Sequence, residues 1–134
     1  MELTVQHLNG MRLLATADGH RVVLDAAPED GGGGTAMGAP QLFVAAMGTC
    51  ILEFVLNSCR LRGVPVEGLS VEMVHEEAPR PRRVGALEAT IHIEPDPSDE
   101  VKRRLLGVAR HATLISTLVH PPEVRLCFGG EDEE

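Results

Sequence analysis

The sequence predicts an α+β fold of the order βββ-α-ββ-α-β, because two apolar patterns succeed each other along its 134 residues. Segments with an apolar residue at every second position are typical of half-buried strands, and longer segments with apolar residues every three to four positions are typical of helices. The strand-like segments come in runs, which favours an α+β arrangement over an alternating parallel sheet. We expect one domain over 1–134, with the acidic residues 131–134 as a tail.

The first part of the chain is predicted to form a three-stranded meander. Two dipeptides that favour tight turns, Asn9-Gly10 and Asp18-Gly19, separate three alternating segments. The third strand is expected over His20 to Asp25. The glycine run 31–34 follows, and we expect it to form a flexible loop.

A first helix is predicted to begin at Pro40, whose fixed φ angle suits a first turn, and its segment Leu42–Leu61 is apolar almost all round. Such a nearly all-round apolar helix is buried over most of its surface. A chain of this length has few elements to cover it, so we expect it to pack against its copy in a C2 homodimer. Its narrow polar stripe consists of Thr49, Glu53, Asn57 and Arg60.

The rest of the chain is predicted to add a hairpin, a helix and a final strand. Two alternating segments, Leu69–Glu76 and Leu87–Glu94, are expected to form the hairpin. Ser98 is expected to cap a second helix whose apolar face runs from Val101 to Ile115. The last strand is predicted over Val124–Phe128.

The composition excludes several classes of function. A formal net charge of −8 argues against binding to nucleic acid or to anionic membranes. The chain has no Trp, no Tyr and only three Phe, so it lacks aromatic platforms on which bases or sugars stack. We expect a cytoplasmic protein, because no basic start precedes an apolar leader and no apolar run approaches about 20 residues. Three cysteines are too few, and odd in number, for a secreted disulfide framework.

The sequence also favours a protein without a metal or another cofactor. Its six histidines include no pair at i, i+3 or i, i+4, and no cysteine stands at zinc spacing from a histidine. The glycines from Gly33 to Gly38 match the spacing of a phosphate-binding loop. However, Ala39-Pro40 stands where such a loop requires Lys followed by Ser or Thr, so we reject a phosphate site.

The most informative stretch of the sequence is 38–50, which ends at a cysteine inside the predicted first helix. Together with the element order and the glycine-rich lead-in, it resembles the OsmC/Ohr family of thiol-dependent hydroperoxide reductases, in particular its smaller branch. The resemblance implies an intertwined homodimer with two central helices back to back, packed against sheets. The residues that carry it are Pro40, Leu42, Phe43, Ala45, Gly48 and Cys50.

The resemblance further implies that Cys50 is the thiolate that attacks a hydroperoxide. In the family an Arg and a Glu hold that thiolate, and a second cysteine late in the second helix resolves the sulfenic acid as a disulfide. The family Glu falls on Pro40, with Gln41 beside it, and no cysteine occurs in 112–118, where Thr113 is the nearest candidate. This chain therefore matches a branch that lacks the second cysteine, and we expect an external thiol as reductant.

Two further residues are candidates for polarising the thiol. Arg21, in the third predicted strand, is the candidate for the family Arg. Glu53 follows Cys50 by three residues, on a neighbouring position of the helix surface, and is the candidate to replace the carboxylate. Each has a plainer interpretation, since Glu53 could be a rim acid and Arg21 a strand-surface charge.

The sequence leaves two functions open. The first is a one-cysteine organic hydroperoxide reductase acting in oxidative stress defence. The second is a non-catalytic protein that binds a small apolar ligand at the dimer interface, with Cys50 packing as a small hydrophobe. The first would be favoured if Gly48 broke the helix, because Cys50 would then lie near a new helix N-terminus, where the pKa of a thiol falls.

The other two cysteines are candidates for a resolving thiol. Cys59 of the same helix lies about 13.5 Å from Cys50 along the axis, at about 1.5 Å per residue. A disulfide requires a Cα separation below about 7 Å. Whether Cys127, or Cys59 across a dimer, approaches Cys50 is left open by the sequence.

Overall fold

The computed structural model describes residues 2–130 and has the mixed α+β class predicted from the sequence. The acidic tail 131–134 lies outside the described residues. The elements are β1 (Thr4–Asn9), β2 (Arg12–Ala17), β3 (His20–Leu24), a 3₁₀ turn (Pro28–Asp30), α1 (Ala39–Arg62), β4 (Gly68–Ala78), β5 (Arg83–Glu94), α2 (Asp99–Ala109) and α3 (Thr113–Val119).

The chain forms two compact units. The first unit comprises Met1–Gly48 and Glu72–Thr90, and the second comprises Thr49–Val71 and Ile91–Glu134. Helix α1 and the strands β4 and β5 each contribute residues to both units. The two units are described separately below.

The meander predicted for the N-terminus is present in the first unit. Strands β1, β2 and β3 form an antiparallel sheet in that order, with Val5 opposite Ala15 and Leu14 opposite Val23. Both predicted turns contain a glycine with a positive φ angle, 55° at Gly10 and 80° at Gly19. Glycine adopts this left-handed conformation without a steric penalty, which is why the two dipeptides locate the turns correctly.

The glycine-rich loop, residues 25–38, differs from the flexible loop that we expected. Its backbone is folded into hydrogen-bonded turns, with Gly32 N–H donating to Ala27 O at 3.0 Å and Gly34 N–H donating to Ala26 O at 3.1 Å. A Cβ at Gly32 would lie 1.9 Å from Ala26 O, so only glycine fits there. The glycines therefore allow close backbone approach in a defined turn.

Helix α1 begins at Ala39, one residue earlier than predicted, runs unbroken through Gly48, and ends in a Schellman motif. In that motif Gly63 has a φ angle of 68°, and Val64 N–H donates to Cys59 O at 2.9 Å. The buried positions recur every three to four residues on one face. They are Val44, Met47, Gly48, Ile51, Val55, Ser58 and Cys59.

The opposite face of α1 is not buried as the near all-round apolar pattern predicted. Phe43 is 41% exposed, Leu56 46% and Leu61 74%. By length and composition alone the helix could cross a membrane, but the core helix of a soluble protein passes the same test. The buried face indicates a core helix with one side left open in the single chain.

The hairpin and the cap of the second helix are also present. Strands β4 and β5 pair in a two-stranded sheet, and Glu67 N–H donates to Glu94 O at 2.7 Å beside it. As predicted, Ser98 caps α2: its Oγ accepts a hydrogen bond from Val101 N–H at 3.3 Å.

The predicted second helix is interrupted, which corrects the expectation of a continuous apolar face to Ile115. Helix α2 ends at Ala109, and α3 begins at Thr113. Between them His111 N–H donates to Val108 O and Ala112 N–H to Ala109 O, both at 3.0 Å, in tight i→i+3 turns. The extended ψ angle of 138° at Ala112 then redirects the chain.

The last predicted strand is not observed. Residues 121–128 have no regular secondary structure, and Val124, Leu126 and Phe128 are 75–80% exposed. A strand requires a neighbour for its backbone hydrogen bonds. Within residues 2–130 the two sheets contain only β1-β2-β3 and β4-β5. The observed order is therefore βββ-α-ββ-α-α.

Candidate functional site

Cys50 lies in the middle of α1, in the second unit, and is half-buried. Because Gly48 does not break the helix, the alternative in which Cys50 follows a new helix N-terminus is wrong. The effect of a helix dipole falls off within the first turn, so a residue eleven positions after Ala39 gains little from it. Any activation of this thiol must come from neighbouring side chains.

Helical spacing determines which side chains on α1 are neighbours of Cys50. Residues three and four positions apart share a helix face. Met47 on one side is buried, whereas Phe54 on the other is half-buried and Glu53 is exposed. The thiol therefore lies at the boundary between the apolar face of α1 and its open side.

The two predicted polarising residues lie on different elements. Glu53 is on α1 in the second unit, one turn from Cys50, so the helix itself brings these two residues together. Arg21 is on β3 in the first unit, opposite Thr16 of β2, and is exposed. Both side chains are exposed in the single chain.

Cys59 and Cys127 occupy contrasting environments, and all three cysteines are free thiols. Cys59 is 1% exposed, and burial raises the pKa of its thiol. A buried thiol with a raised pKa is a poor nucleophile because the thiolate is the reactive form. Cys127 is exposed, in the irregular segment after α3.

The region in which the family's second cysteine was expected forms the start of α3. Ala112, at its N-cap position, is completely buried, and Thr113 is its first residue. One turn further along α3, the hydroxyl Oγ1 of Thr117 donates a hydrogen bond to Thr113 O at 2.9 Å. These groups have structural roles and supply no thiol.

Gln41, which stands beside the position of the family Glu, also has a structural role. Gln41 Oε1 accepts a hydrogen bond from Gly38 N–H at 3.0 Å. A Gln at the third helical position that reaches back to the N-cap N–H forms one half of a capping box. Gln41 therefore stabilises the start of α1 and offers no carboxylate to Cys50.

Asp25, which the sequence patterns did not single out, organises the glycine-rich loop in the first unit. Its side chain is 3% exposed and accepts hydrogen bonds from Thr35 Oγ1 at 2.7 Å, from Thr35 N–H at 3.1 Å and from Gly33 N–H at 3.3 Å. These bonds, above all that from the Thr35 hydroxyl, lower the pKa of Asp25. The sequence gives only a weak indication of this role of Asp25, namely an Asp at the end of a strand, eight to ten residues before Gly and Thr.

The environment of Asp25 is consistent with rejecting a phosphate site. The N–H groups of Gly33 and Thr35 point to the protein's own carboxylate. In a phosphate-binding loop, backbone N–H groups of this kind point to the ligand. Among residues 2–130, no group of three or more His, Cys, Asp or Glu side chains could hold a metal ion.

The fold is of the mixed α+β class, and comparison with known proteins identifies the family. The family model for OsmC-like proteins matches residues 31–126, more than half of the chain. The chain therefore belongs to the OsmC-like family, as the stretch 38–50 indicated. No curated protein matches the sequence.

Solved structures share this fold at low sequence identity. One is a Psychrobacter arcticus protein assigned to osmotic stress and detoxification responses, with a TM-score of 0.82 and 19% identity over 86% of this chain and 85% of that one. Another is an organic hydroperoxide resistance protein OsmC from Legionella pneumophila, with a TM-score of 0.65 and 18% identity over 88% and 89%. An OsmC-like protein from Mycoplasma pneumoniae has a TM-score of 0.72 and 17% identity over 90% and 87%. At these identities the comparisons establish the fold.

Proposed function

We propose that this protein is a one-cysteine, thiol-dependent reductase of organic hydroperoxides that acts in oxidative stress defence. The observation that carries the proposal is the half-buried Cys50, placed on α1 of an OsmC-like fold beside apolar side chains and one exposed carboxylate. An organic peroxide has an apolar body and a polar O–O group, and the boundary position of Cys50 suits both parts.

The proposed cycle needs no second protein thiol. The Cys50 thiolate attacks the terminal peroxide oxygen, the O–O bond breaks, and the leaving alkoxide takes a proton to become the alcohol. Cys50 is left as a sulfenic acid. One external thiol condenses with it to a mixed disulfide and releases water, and a second thiol attacks that disulfide and regenerates the Cys50 thiolate.

Glu53 and Arg21 are the proposed polarising groups of this cycle. A guanidinium near the thiol favours the thiolate and can donate hydrogen bonds to the peroxide oxygens. Glu53 would replace the missing carboxylate or pair with Arg21 across the proposed dimer. A double-mutant cycle of R21Q and E53Q tests the pairing by non-additive losses in the rate of Cys50 oxidation.

We also propose that the working form is a cytoplasmic homodimer. The single chain exposes many large apolar side chains, including Phe43 and Leu56 on α1 and Leu126 and Phe128 near the C-terminus. Apolar surface of this extent is typical of an interface. Sedimentation equilibrium of the purified protein tests the dimer, and a monomer at micromolar concentration would contradict it.

The decisive experiment follows the oxidation of Cys50 directly. Reduced protein is mixed with cumene hydroperoxide or hydrogen peroxide, and sulfenic acid at Cys50 is trapped and identified by mass spectrometry. We expect rapid, saturable oxidation with a preference for the organic peroxide. Oxidation no faster than that of a free thiol would contradict the reductase proposal.

Two observations favour the alternative of a non-catalytic protein that binds a small apolar ligand. Gln41 is used in the helix cap, and the mid-helix position deprives Cys50 of a helix terminus. Under this alternative Cys50→Ser would retain ligand binding, and no peroxide would be consumed by the unmodified protein. The same sulfenic acid experiment therefore separates the two functions.

A further inference from the structure

The first unit contains a cavity of about 920 Å³ beside the glycine-rich loop. Three parts of the unit line it: the loop with its flanking residues, strand β2, and the β4–β5 hairpin. Cys50, Glu53 and Arg21 are not among its lining residues, so the proposed peroxide chemistry makes no use of it. Its volume lies within the range of about 300–1,000 Å³ that is typical of small-molecule sites.

The wall formed by the loop is organised before any ligand arrives. Asp25 accepts hydrogen bonds from the loop residues Gly33 and Thr35, and Asp25 N–H donates to Met37 O at 3.1 Å across the base of the loop. A site that is already ordered loses less conformational entropy when a ligand binds. This is why a loop with four consecutive glycines can form a binding wall.

One part of the cavity is apolar and open to solvent. Met11 of the β1–β2 turn, Leu13 of β2 and Met37 of the loop line it, with exposed fractions of 51%, 37% and 46%. Covering such side chains with an apolar group is favourable because it removes their surface from water. Methionine adapts its shape to irregular ligands.

The charged part of the cavity is negative overall. Apart from Asp25, whose carboxylate is bonded to the loop, the lining contains the carboxylates of Glu29, Asp30 and Glu77, the imidazole of His75 and a single guanidinium, that of Arg82. Three carboxylates against one guanidinium leave an excess of negative charge, in a chain whose net charge is already −8. A cavity of this composition attracts cations.

Arg82 positions the carboxylate of Glu77 but leaves one of its two oxygens without a hydrogen bond in the described part of the chain. Its Nη1 lies 3.1 Å from Asp30 Oδ1, and its Nη2 lies 3.1 Å from Glu77 Oε1. The other oxygen of Glu77, Oε2, accepts no hydrogen bond within residues 2–130. Glu77 is therefore positioned by Arg82 and still has an oxygen available to a donor.

We propose that this cavity binds a small organic cation, a primary ammonium that carries a short apolar chain. The ammonium donates to Glu77 Oε2, and the chain covers Met11, Leu13 and Met37. Charge complementarity selects the cation over an anion of the same size, and the apolar wall selects an alkyl ammonium over a bare ammonium ion. The site is independent of Cys50.

The test measures binding of three probes of equal chain length, n-hexylammonium, 1-hexanol and hexanoate, by isothermal titration calorimetry at pH 7.5 and low salt. We expect saturable binding of hexylammonium, with hexanol at least about tenfold weaker and hexanoate weaker still. Equal affinities for the three probes, a preference for hexanoate, or no saturable binding at millimolar concentration would each overturn the proposal. The absence of saturable binding is also expected if a second copy of the chain occupies the cavity in place of a small ligand.

Two adjacent glutamates of β4 provide a matched pair of variants. Glu77 lines the cavity and Glu76 does not, because alternate residues of a strand point to opposite faces. Glu77→Gln is expected to weaken hexylammonium binding about tenfold and to leave hexanol unchanged, whereas Glu76→Gln changes neither. Equal effects of the two variants would show that only the overall charge matters and would overturn the site. Cys50→Ser is expected to bind hexylammonium normally, so failure of the reductase proposal and failure of this one remain distinguishable.

Discussion

The glycine-rich loop and the Cys50 turn of α1 use polar groups in opposite ways. In the loop, the Asp25 carboxylate is buried and bonded to Thr35 and Gly33. On α1, Cys50 is half-buried and the neighbouring Glu53 is exposed. Polar groups that bond to each other stabilise a conformation, whereas groups open to solvent can meet a substrate. The loop resembles a nucleotide-binding motif in sequence but has a structural role, and the apolar helix carries the reactive candidate.

The two cysteines of α1 sharpen this contrast within one helix. Cys59 is 1% exposed and burial raises its pKa, whereas Cys50 lies at the edge of the buried face. Sequence composition treats both as the same residue in the same apolar segment. Their burial differs because of their position around the helix, and we expect their reactivity to differ for the same reason.

The largest effect is expected from removing the reactive thiol. Cys50→Ser should lose peroxide consumption completely, down to the rate of buffer and external thiol alone, because serine cannot supply a thiolate. Consumption of cumene hydroperoxide in the presence of excess dithiol measures this loss. Cys59→Ala is the matched control and should retain the rate, and a loss of equal size in both variants would mean that the effect is structural.

The next effect tests how rigid the loop is. Gly32→Ala would place a Cβ 1.9 Å from Ala26 O, so the backbone must shift, and we expect the free energy of unfolding to fall by about 1–3 kcal/mol or more. Urea denaturation followed by circular dichroism measures the change. An unchanged urea midpoint would show that the loop backbone adjusts without cost, and it would contradict the description of the loop as a rigid, structural region.

A third prediction concerns the charge of Asp25. Asp25→Asn keeps the size of the side chain but loses a charged acceptor of three hydrogen bonds, so the melting temperature at pH 7 should fall. This decrease in melting temperature should exceed the decrease caused by Asp18→Asn, a substitution at an exposed turn residue. Differential scanning fluorimetry of the two variants measures the difference.

The same group predicts a dependence of stability on pH. Because the pKa of Asp25 is lowered in the folded state, its stabilisation is present above the unfolded pKa, about 3.9, and is lost as the pH falls through the folded pKa. Melting temperatures of the wild type and Asp25→Asn should therefore converge below about pH 4. A constant difference down to pH 2 would contradict this account.

The smallest effect is expected at a glycine outside both regions. Gly107 lies in α2 with open space where the Cβ of an alanine would be, so Gly107→Ala should raise the free energy of unfolding by about 0.5–1 kcal/mol. Urea denaturation measures the gain. This variant is also the control for Gly32→Ala, because it shows what the same substitution does where space is available.

Much of the fold follows from local patterns that the sequence displays directly. The Asn9-Gly10 and Asp18-Gly19 turns, the Ser98 cap and the helix that contains Cys50 all depend on residues within about four positions of one another. Such short-range preferences are physically independent of the rest of the chain. The stretch 38–50 likewise identified the family before the fold was known.

The tertiary structure decided the features that depend on distant groups. The bonds of Asp25 to residues eight and ten positions away turn an expected flexible loop into an ordered one. The alternating segment Val124–Phe128 has strand character in its sequence, but it lacks a paired neighbour within residues 2–130. Sequence periodicity determines which face of an element is apolar, because that depends only on local geometry. What covers that face, and which polar groups meet, is decided by the path of the whole chain.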